Sequence, residues 1–241
     1  ELSTMGEKAY GLRLRVAGAA SWSQLSAQNA PTARAGHSPA SLIALAPGGS
    51  TYPLFRTIGG VDVDGRLIDG GADLIVDAGA YVWSRHAGAV PSARNLHASV
   101  YESQSGRVLV IGGQNPNGDP LTDLWTSSAY GVGPWTNEVL APAFPGLAWH
   151  AAASLGPGRI AIYAGAGREG QLLLLCYDMF VSSPKWHYKD VTPATTALCG
   201  AELPTANYDA PTDTLFLFGG GNDRNCTAVW RLSPAASLEC P

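Results

Sequence analysis

The sequence predicts a single all-β domain, residues 1–241, built of repeated four-stranded sheets stacked around an axis. Three observations predict it. First, an apolar stretch ending in two small residues recurs at 54–60 (LFRTIGG), 109–113 (LVIGG), 160–165 (IAIYAG) and 215–220 (LFLFGG), which puts Gly60, Gly113, Gly165 and Gly220 at intervals of 53, 52 and 55. Second, Trp22, Trp83, Trp135 and Trp186 are spaced 61, 52 and 51 apart. Third, 31–37 (PTARAGH) returns 60 residues later as 91–97 (PSARNLH) and more loosely as 145–150 (PGLAWH), while a fourth copy near Leu203 and Pro204 keeps neither Arg nor His. Series that stay in phase at this period mark a repeat architecture.

Each element follows from local pattern. Residues 10–16 (YGLRLRV) alternate as a third strand, and 21–25 carry Trp22 of a fourth. The long first interval implies an insertion at 46–52. Within a repeat, 97–101 reads as a first strand, 103–106 as a turn and 107–111 as a second strand, apolar throughout as for a strand covered on both faces. The small pairs that follow (Gly59 and Gly60, Gly112 and Gly113, Gly165, Gly219 and Gly220) let backbone crowd its neighbours where a side chain would clash. Polar loops come next at 61–66, 114–120, 166–171 and 221–225, then a third strand, then the Trp on the outermost fourth. Such a sheet cannot bury both faces alone, so copies must stack, each Trp packing between neighbouring sheets. The repeats run approximately 31–83, 91–135, 145–186 and 199–232, with 10–25 supplying outer strands to complete the last, whose third strand is 227–232.

A Gly pair after an apolar strand, a Trp 21 to 23 residues later and a period near 50 resemble kelch repeats over nearly the whole chain. The resemblance implies a kelch-type β-propeller with four-stranded blades, closed by strands from both termini. Kelch rings usually have six or seven blades, whereas the Gly elements here imply a four- or five-bladed ring or part of a larger one. The sequence departs from the pattern at Ala164, where a glycine is preferred, and in lacking the Tyr that often precedes the Trp, Tyr177 being the nearest candidate.

Composition narrows the function classes. Apolar residues make up 46% and charged residues 14%, with 29 Gly and 17 Pro, which suits a packed core of short strands and tight turns. No apolar run approaches the roughly 18 residues of a membrane-spanning helix. The net charge is −4 and no basic cluster is present, so the electrostatic footprint of a nucleic-acid binder is missing. The start at Glu1, without an initiator Met, reads as processing or truncation. Cys176, Cys199, Cys226 and Cys240 form no C-x-x-C pair; they are buried thiols or disulfides, and three pairings stay open. Asn225-Cys226-Thr227 fits a glycosylation sequon, which favours disulfides and an extracellular or secretory location.

No metal site, cofactor or catalytic residue is predicted, and no G-x-S-x-G elbow is present. His37, His97 and His150 share one place in three repeats and read as residues bonding backbone near the inner strands, not as ligands. His86 and His187 read as outer-loop residues. Asp62 to Gly65 reads as a turn, and Asp69, Asp73 and Asp77 as solvent-facing or turn positions. The partner-binding candidates are Arg34 and Arg94, which the resemblance places at the mouth of a central channel facing acidic peptides; a structural bond to a loop carbonyl or carboxylate is the competing reading. The loops add Asp64, Arg66, Asn115, Asn117, Asp119, Arg168, Glu169 and Asp223. The expected function is a non-catalytic binding or assembly module acting on a protein partner. The alternatives are a mutarotase-like, sugar-active enzyme or a carbohydrate-binding propeller with Trp125, Trp149 or Tyr130 as stacking platforms.

Overall fold

The computed structural model describes residues 13–14, 23–41, 53–127, 134–140, 142–163, 165, 168, 170–182, 185–193, 203–219, 229–235 and 238–240. Trp22, Gly220, Asp223, Asn225, Cys199 and Cys226, with Tyr130, Ala164 and Glu169, lie outside the described residues.

The described residues form β-strands and one short 3-10 turn at Ala210–Thr212. β1 (Arg13–Leu14) and β2 (Ser23–Gln24) pair antiparallel with each other. The first large sheet contains β3 (Ala27–Gln28), β4 (Ser38–Ser41), β5 (Pro53–Ile58), β6 (Gly71–Asp77) and β7 (Ala80–Arg85), in the order β3-β7-β6-β5-β4. β3 joins its outer edge in parallel. The second sheet is an antiparallel meander of β8 (Ala98–Glu102), β9 (Arg107–Ile111), β10 (Leu124–Thr126) and β11 (Thr136–Glu138). The third repeats it with β12 (Ala151–Ser154), β13 (Arg159–Tyr163), β14 (Leu172–Tyr177) and β15 (Trp186–Asp190). The fourth contributes β16 (Thr205–Asp209), β17 (Thr214–Phe218) and β18 (Val229–Leu232).

The innermost strands β4, β8, β12 and β16 lie beside one another in chain order. Together they line one cavity of about 300 Å³. This is a β-propeller fold: each of the four larger sheets is a blade, and β4, β8, β12 and β16 face the axis.

Packing between blades explains the pattern of the sequence. Trp186 is buried in a cluster that takes Leu109, Ile111 and Leu124 from the second blade and Ile160, Ile162 and Leu173 from the third. Trp135 sits with Ala40 and Ile58 of the first blade and Val108 and Val110 of the second. Trp83 is half-buried and meets Phe55 edge-on at 6.1 Å. Wedging an indole between two sheets removes a large apolar area from water that neither sheet could cover alone.

The glycine pairs stand where one blade touches the next. The Gly113 N–H donates to the Leu147 carbonyl of the following blade at 2.7 Å, as Gly60 does to Arg94 at 2.8 Å. A Cβ on Gly112 would lie 2.4 Å from the Leu147 oxygen, and Gly112 and Gly113 both have positive φ, +51° and +108°. Gly59 and Gly165 are held equally close to backbone, against the carbonyls of Arg94 and Ala148, but nothing crowds Gly219.

A disulfide joins Cys176 on β14 to Cys240 near the end of the chain, 64 residues away. It fastens the terminal segment, with Ala235 and Leu238 buried, over the face shared by the third and fourth blades.

Candidate functional site

The loops that follow the glycine pairs in the first two blades have one construction. In 61–66, Asp62 Oδ1 accepts from the N–H groups of Asp64 and Arg66, both at 2.9 Å. In the second blade, Asn115 Oδ1 accepts from Asn117 at 2.8 Å and Asp119 at 3.0 Å. Both are Asx turns, in which a short polar side chain replaces a backbone carbonyl and stiffens the loop. Asp64 and Arg66 are exposed and form an ion pair at 3.3 Å; Asn117 and Asp119 are also exposed, and Asn115 is half-buried because it holds the turn. Arg168 is half-buried, its backbone N–H bonded to the Gly165 carbonyl and its side chain to Gln171.

Neither predicted arginine lines the central cavity, which is walled by Pro39, Ala40, Ser99 to Tyr101, Ala152 to Ser154 and Ala206 to Tyr208. Arg94 corrects the expectation of a ligand-facing cation. It is fully buried, and all its donors are used: Nε on the Ser92 carbonyl, Nη1 on the Gly112 carbonyl and Asp123 Oδ1, and Nη2 on Ser92 Oγ and Asp123 Oδ2. The Nη–carboxylate distances of 2.7 and 2.6 Å describe a bidentate pair, so Arg94 fixes the blade and offers nothing to a partner. Arg34 is docked in the same way on carbonyls alone, Nε on Thr32 at 3.2 Å and Nη1 on Gly59 at 3.0 Å, and is only half-buried.

Two further placements overturn the sequence reading. Asp73 is not solvent-facing: it lies mid-strand on β6, directly opposite Arg56 on β5, and binds Arg56 Nε at 2.6 Å and Nη2 at 2.8 Å. His86 is not an outer-loop residue: its buried ring joins Asp73 at 2.9 Å through Nε2 and Trp135 Nε1 at 3.2 Å through Nδ1. The indole N–H can only donate, so Nδ1 accepts and the ring proton resides on Nε2, donated to Asp73. The Arg56 guanidinium lies 5.1 Å over the Trp135 ring. The chain Arg56–Asp73–His86–Trp135 therefore ties two blades together and leaves the imidazole no free lone pair for proton abstraction. Burial would raise the Asp73 carboxyl, but bonds and charge from Arg56 and His86 outweigh it and hold it below the ordinary range. A sequence signal was present, an Arg inside the apolar stretch 54–60.

His97 and His150 are buried, with neither ring nitrogen in a hydrogen bond. Desolvation, then the charge of Arg94, brings His97 down to about 3. Desolvation brings His150 to about 4; the Ile111 backbone opposes that shift from outside hydrogen-bonding geometry. His37 is lowered as well, by burial and by Arg34. Among the described residues, no group of three or more His, Cys, Asp or Glu is arranged to hold a metal ion.

Sequence reasoning missed Glu102. Its buried carboxylate accepts from Gln104 and Ser105 in its own turn, both at 2.7 Å, and from Gly158 of the third blade at 2.8 Å. A Glu at the end of an exposed-looking hairpin carries no signal that distinguishes this role.

No family model matches the sequence. Over 178 residues, 69% of the chain, it is 30% identical to human Multiple epidermal growth factor-like domains protein 8, and covers 6% of that protein. The mouse protein of that name is 31% identical over 145 residues, 54% of this chain and 5% of its own length. The chain thus spans about a twentieth of the curated relatives it matches. Among solved structures, YjhT superposes with a TM-score of 0.54 at 13% identity, covering 83% of this chain and 62% of that one. A chain of RAG in complex with one melted and one unmelted RSS also gives 0.54, at 14% identity, covering 88% and 64%. At these identities the two likenesses establish the propeller fold alone.

Proposed function

We propose that the chain is a non-catalytic binding module, a kelch-type propeller that holds a protein partner through the loops after its glycine pairs. The observation that carries this reading is the shared construction of loops 61–66 and 114–119. One buried scaffold and one Asx turn present different exposed side chains, Asp64 and Arg66 in one blade and Asn117 and Asp119 in the next. Loops ordered before contact lose little conformational entropy on binding, and their tips vary without cost to the blades. The Cys176–Cys240 disulfide supports a place in the secretory pathway or outside the cell, where such bonds persist. Likeness to proteins named for multiple epidermal growth factor-like domains supports a role as one module of a larger assembly.

The test is site-specific photo-crosslinking from Asp64 and Asn117 in extracellular and secretory fractions, with a probe at the remote Gln104 turn as control. The proposal expects one polypeptide captured from the loop probes alone, and lost when 61–66 and 114–119 are replaced by Gly-Ser. Capture that is indifferent to loop replacement, or catalysed mutarotation of aldoses followed by polarimetry, would overturn it.

A further inference from the structure

The first two blades hold their arginines in the same cradle, with one difference. Gly59 N–H donates to the Gly70 carbonyl as Gly112 N–H does to Asp123, and Ile68 N–H to Gly60 as Leu121 does to Gly113. Gly70 is therefore the structural equivalent of Asp123. Where the second blade supplies a carboxylate to its arginine, the first supplies a hydrogen atom. Arg34 keeps its two carbonyl bonds, but no carboxylate meets Nη1 or Nη2 among the described residues. The Val90 side chain takes part of that room, 3.2 Å from where a Cβ on Gly70 would lie. A cleft of about 270 Å³ remains, lined by Arg34, Gly70, Arg85, His86 and Val90. Asp69, on its rim, is exposed and forms no ion pair among the described residues. The cleft shares no residue with the central cavity.

We infer that this cleft is a binding site for a carboxylate supplied from outside the chain, seated on Arg34 where Asp123 sits on Arg94. The guanidinium is fixed by its carbonyl bonds, so its outward edge is oriented for a bidentate contact before the ligand arrives. Arg85 adds a second positive charge; burial first, and then this charge, lowers the affinity of Arg34 for its own proton, and an incoming anion offsets the repulsion between the two. His86 has both ring nitrogens engaged, so it shapes the wall and does not compete. The carboxylate comes either from an acidic side chain of a peptide or from a small free acid. The inference rests on the proposed role as a binding module only insofar as it names a partner's chemistry.

The experiment follows the Arg Nε–H and the Gly70 and Gly71 amide resonances of the intact, oxidised chain by NMR. The titrants are sodium acetate, acetyl-Gly-Asp-Gly-amide and its Asn counterpart. A saturable shift with acetate or the Asp peptide, absent with the Asn peptide, and weakened at least tenfold in Arg34→Ala supports the site. Arg34→Lys, which keeps the charge but loses the fork, is expected to weaken it severalfold while leaving the spectrum folded. Tighter binding of the Asp peptide than of acetate identifies a partner side chain; equal binding identifies a small free acid. No saturable shift with either carboxylate, or binding to Arg34→Ala as tight as to the unsubstituted chain, overturns the inference. Replacing 61–66 and 114–119 by Gly-Ser tests the binding-module reading separately, because it leaves Arg34 and Gly70 in place.

Discussion

Asp123→Ala is the sharpest perturbation of the blade architecture. Asp123 supplies both carboxylate bonds of the fully buried Arg94 and also accepts from the Trp125 indole N–H at 2.6 Å. Its removal leaves the guanidinium buried with only the Ser92 and Gly112 oxygens. Breaking one side of a buried pair costs about 3–5 kcal/mol, because the remaining charge is not rehydrated. In a chain of 241 residues each kcal/mol moves Tm by about 2–4 °C, so a fall of about 6–20 °C is expected. The matched control is Arg34→Ala: Arg34 is half-buried, meets no carboxylate among the described residues and gives up two carbonyl bonds, a loss of about 1–3 kcal/mol. Urea unfolding followed by tryptophan fluorescence measures both. The reasoning is refuted if Asp123→Ala costs under about 1 kcal/mol, or no more than Arg34→Ala.

Acid should weaken the fold before any carboxylate titrates. The folded-state values of His97 and His150, about 3 and about 4, lie below the ordinary 6.5, so the unfolded chain takes up protons first. Stability is then full above pH 6.5 and falls as pH drops towards those values, by about 1.4 kcal/mol per pH unit for each histidine. Urea midpoints between pH 7.5 and 5 should show a steep loss, roughly halved in slope in His97→Gln; a flat profile contradicts the burial of these rings. Opening the Cys176–Cys240 bond with Cys240→Ser frees a 64-residue loop. In the chain-entropy treatment this lowers stability by about 4 kcal/mol, read from the same urea curves; a change below about 1 kcal/mol would show that the terminal segment is held without it. Gly113→Ala places a Cβ 2.7 Å from the Asn95 carbonyl at φ +108°, and should cost several times more than Gly118→Ala, whose Cβ meets nothing; equal costs would contradict the close approach of the blades.

Much of the fold was legible because repetition amplifies weak signals. One Gly pair or one Trp says little, but the same pair recurring in phase with Trp83, Trp135 and Trp186 requires sheets of one design. Second strands such as Val108 to Ile111 announced themselves by apolar runs, since both faces are covered, while Arg56 interrupts the run in the first blade. The site was less legible for a physical reason. Arg34 and Arg94 sit in heptapeptides that share Pro, Ala, Arg and His, and what separates them is a residue 29 or 36 positions away: Asp123 is present in one blade and Gly70 stands at its place in the other. Partners across a sheet are set by register, which spacing alone does not reveal. Asp73 illustrates this: a four-residue recurrence with Asp69 and Asp77 suggested a wet face, while antiparallel pairing put it against Arg56. Glu102 was invisible because its third bond comes from the neighbouring blade.

The account depends on sheets that shield one another around an axis, with indoles between them. A nuclear Overhauser experiment on the labelled chain tests this most directly through the Trp135 indole N–H, which belongs to the second blade and bonds to His86 of the first. Cross-peaks from that proton to the His86 ring, and from the ring protons of Trp135 to the methyls of Ala40 and Ile58, are the predicted result. An indole N–H that exchanges freely with water and shows contacts only within residues 98–138 would contradict it.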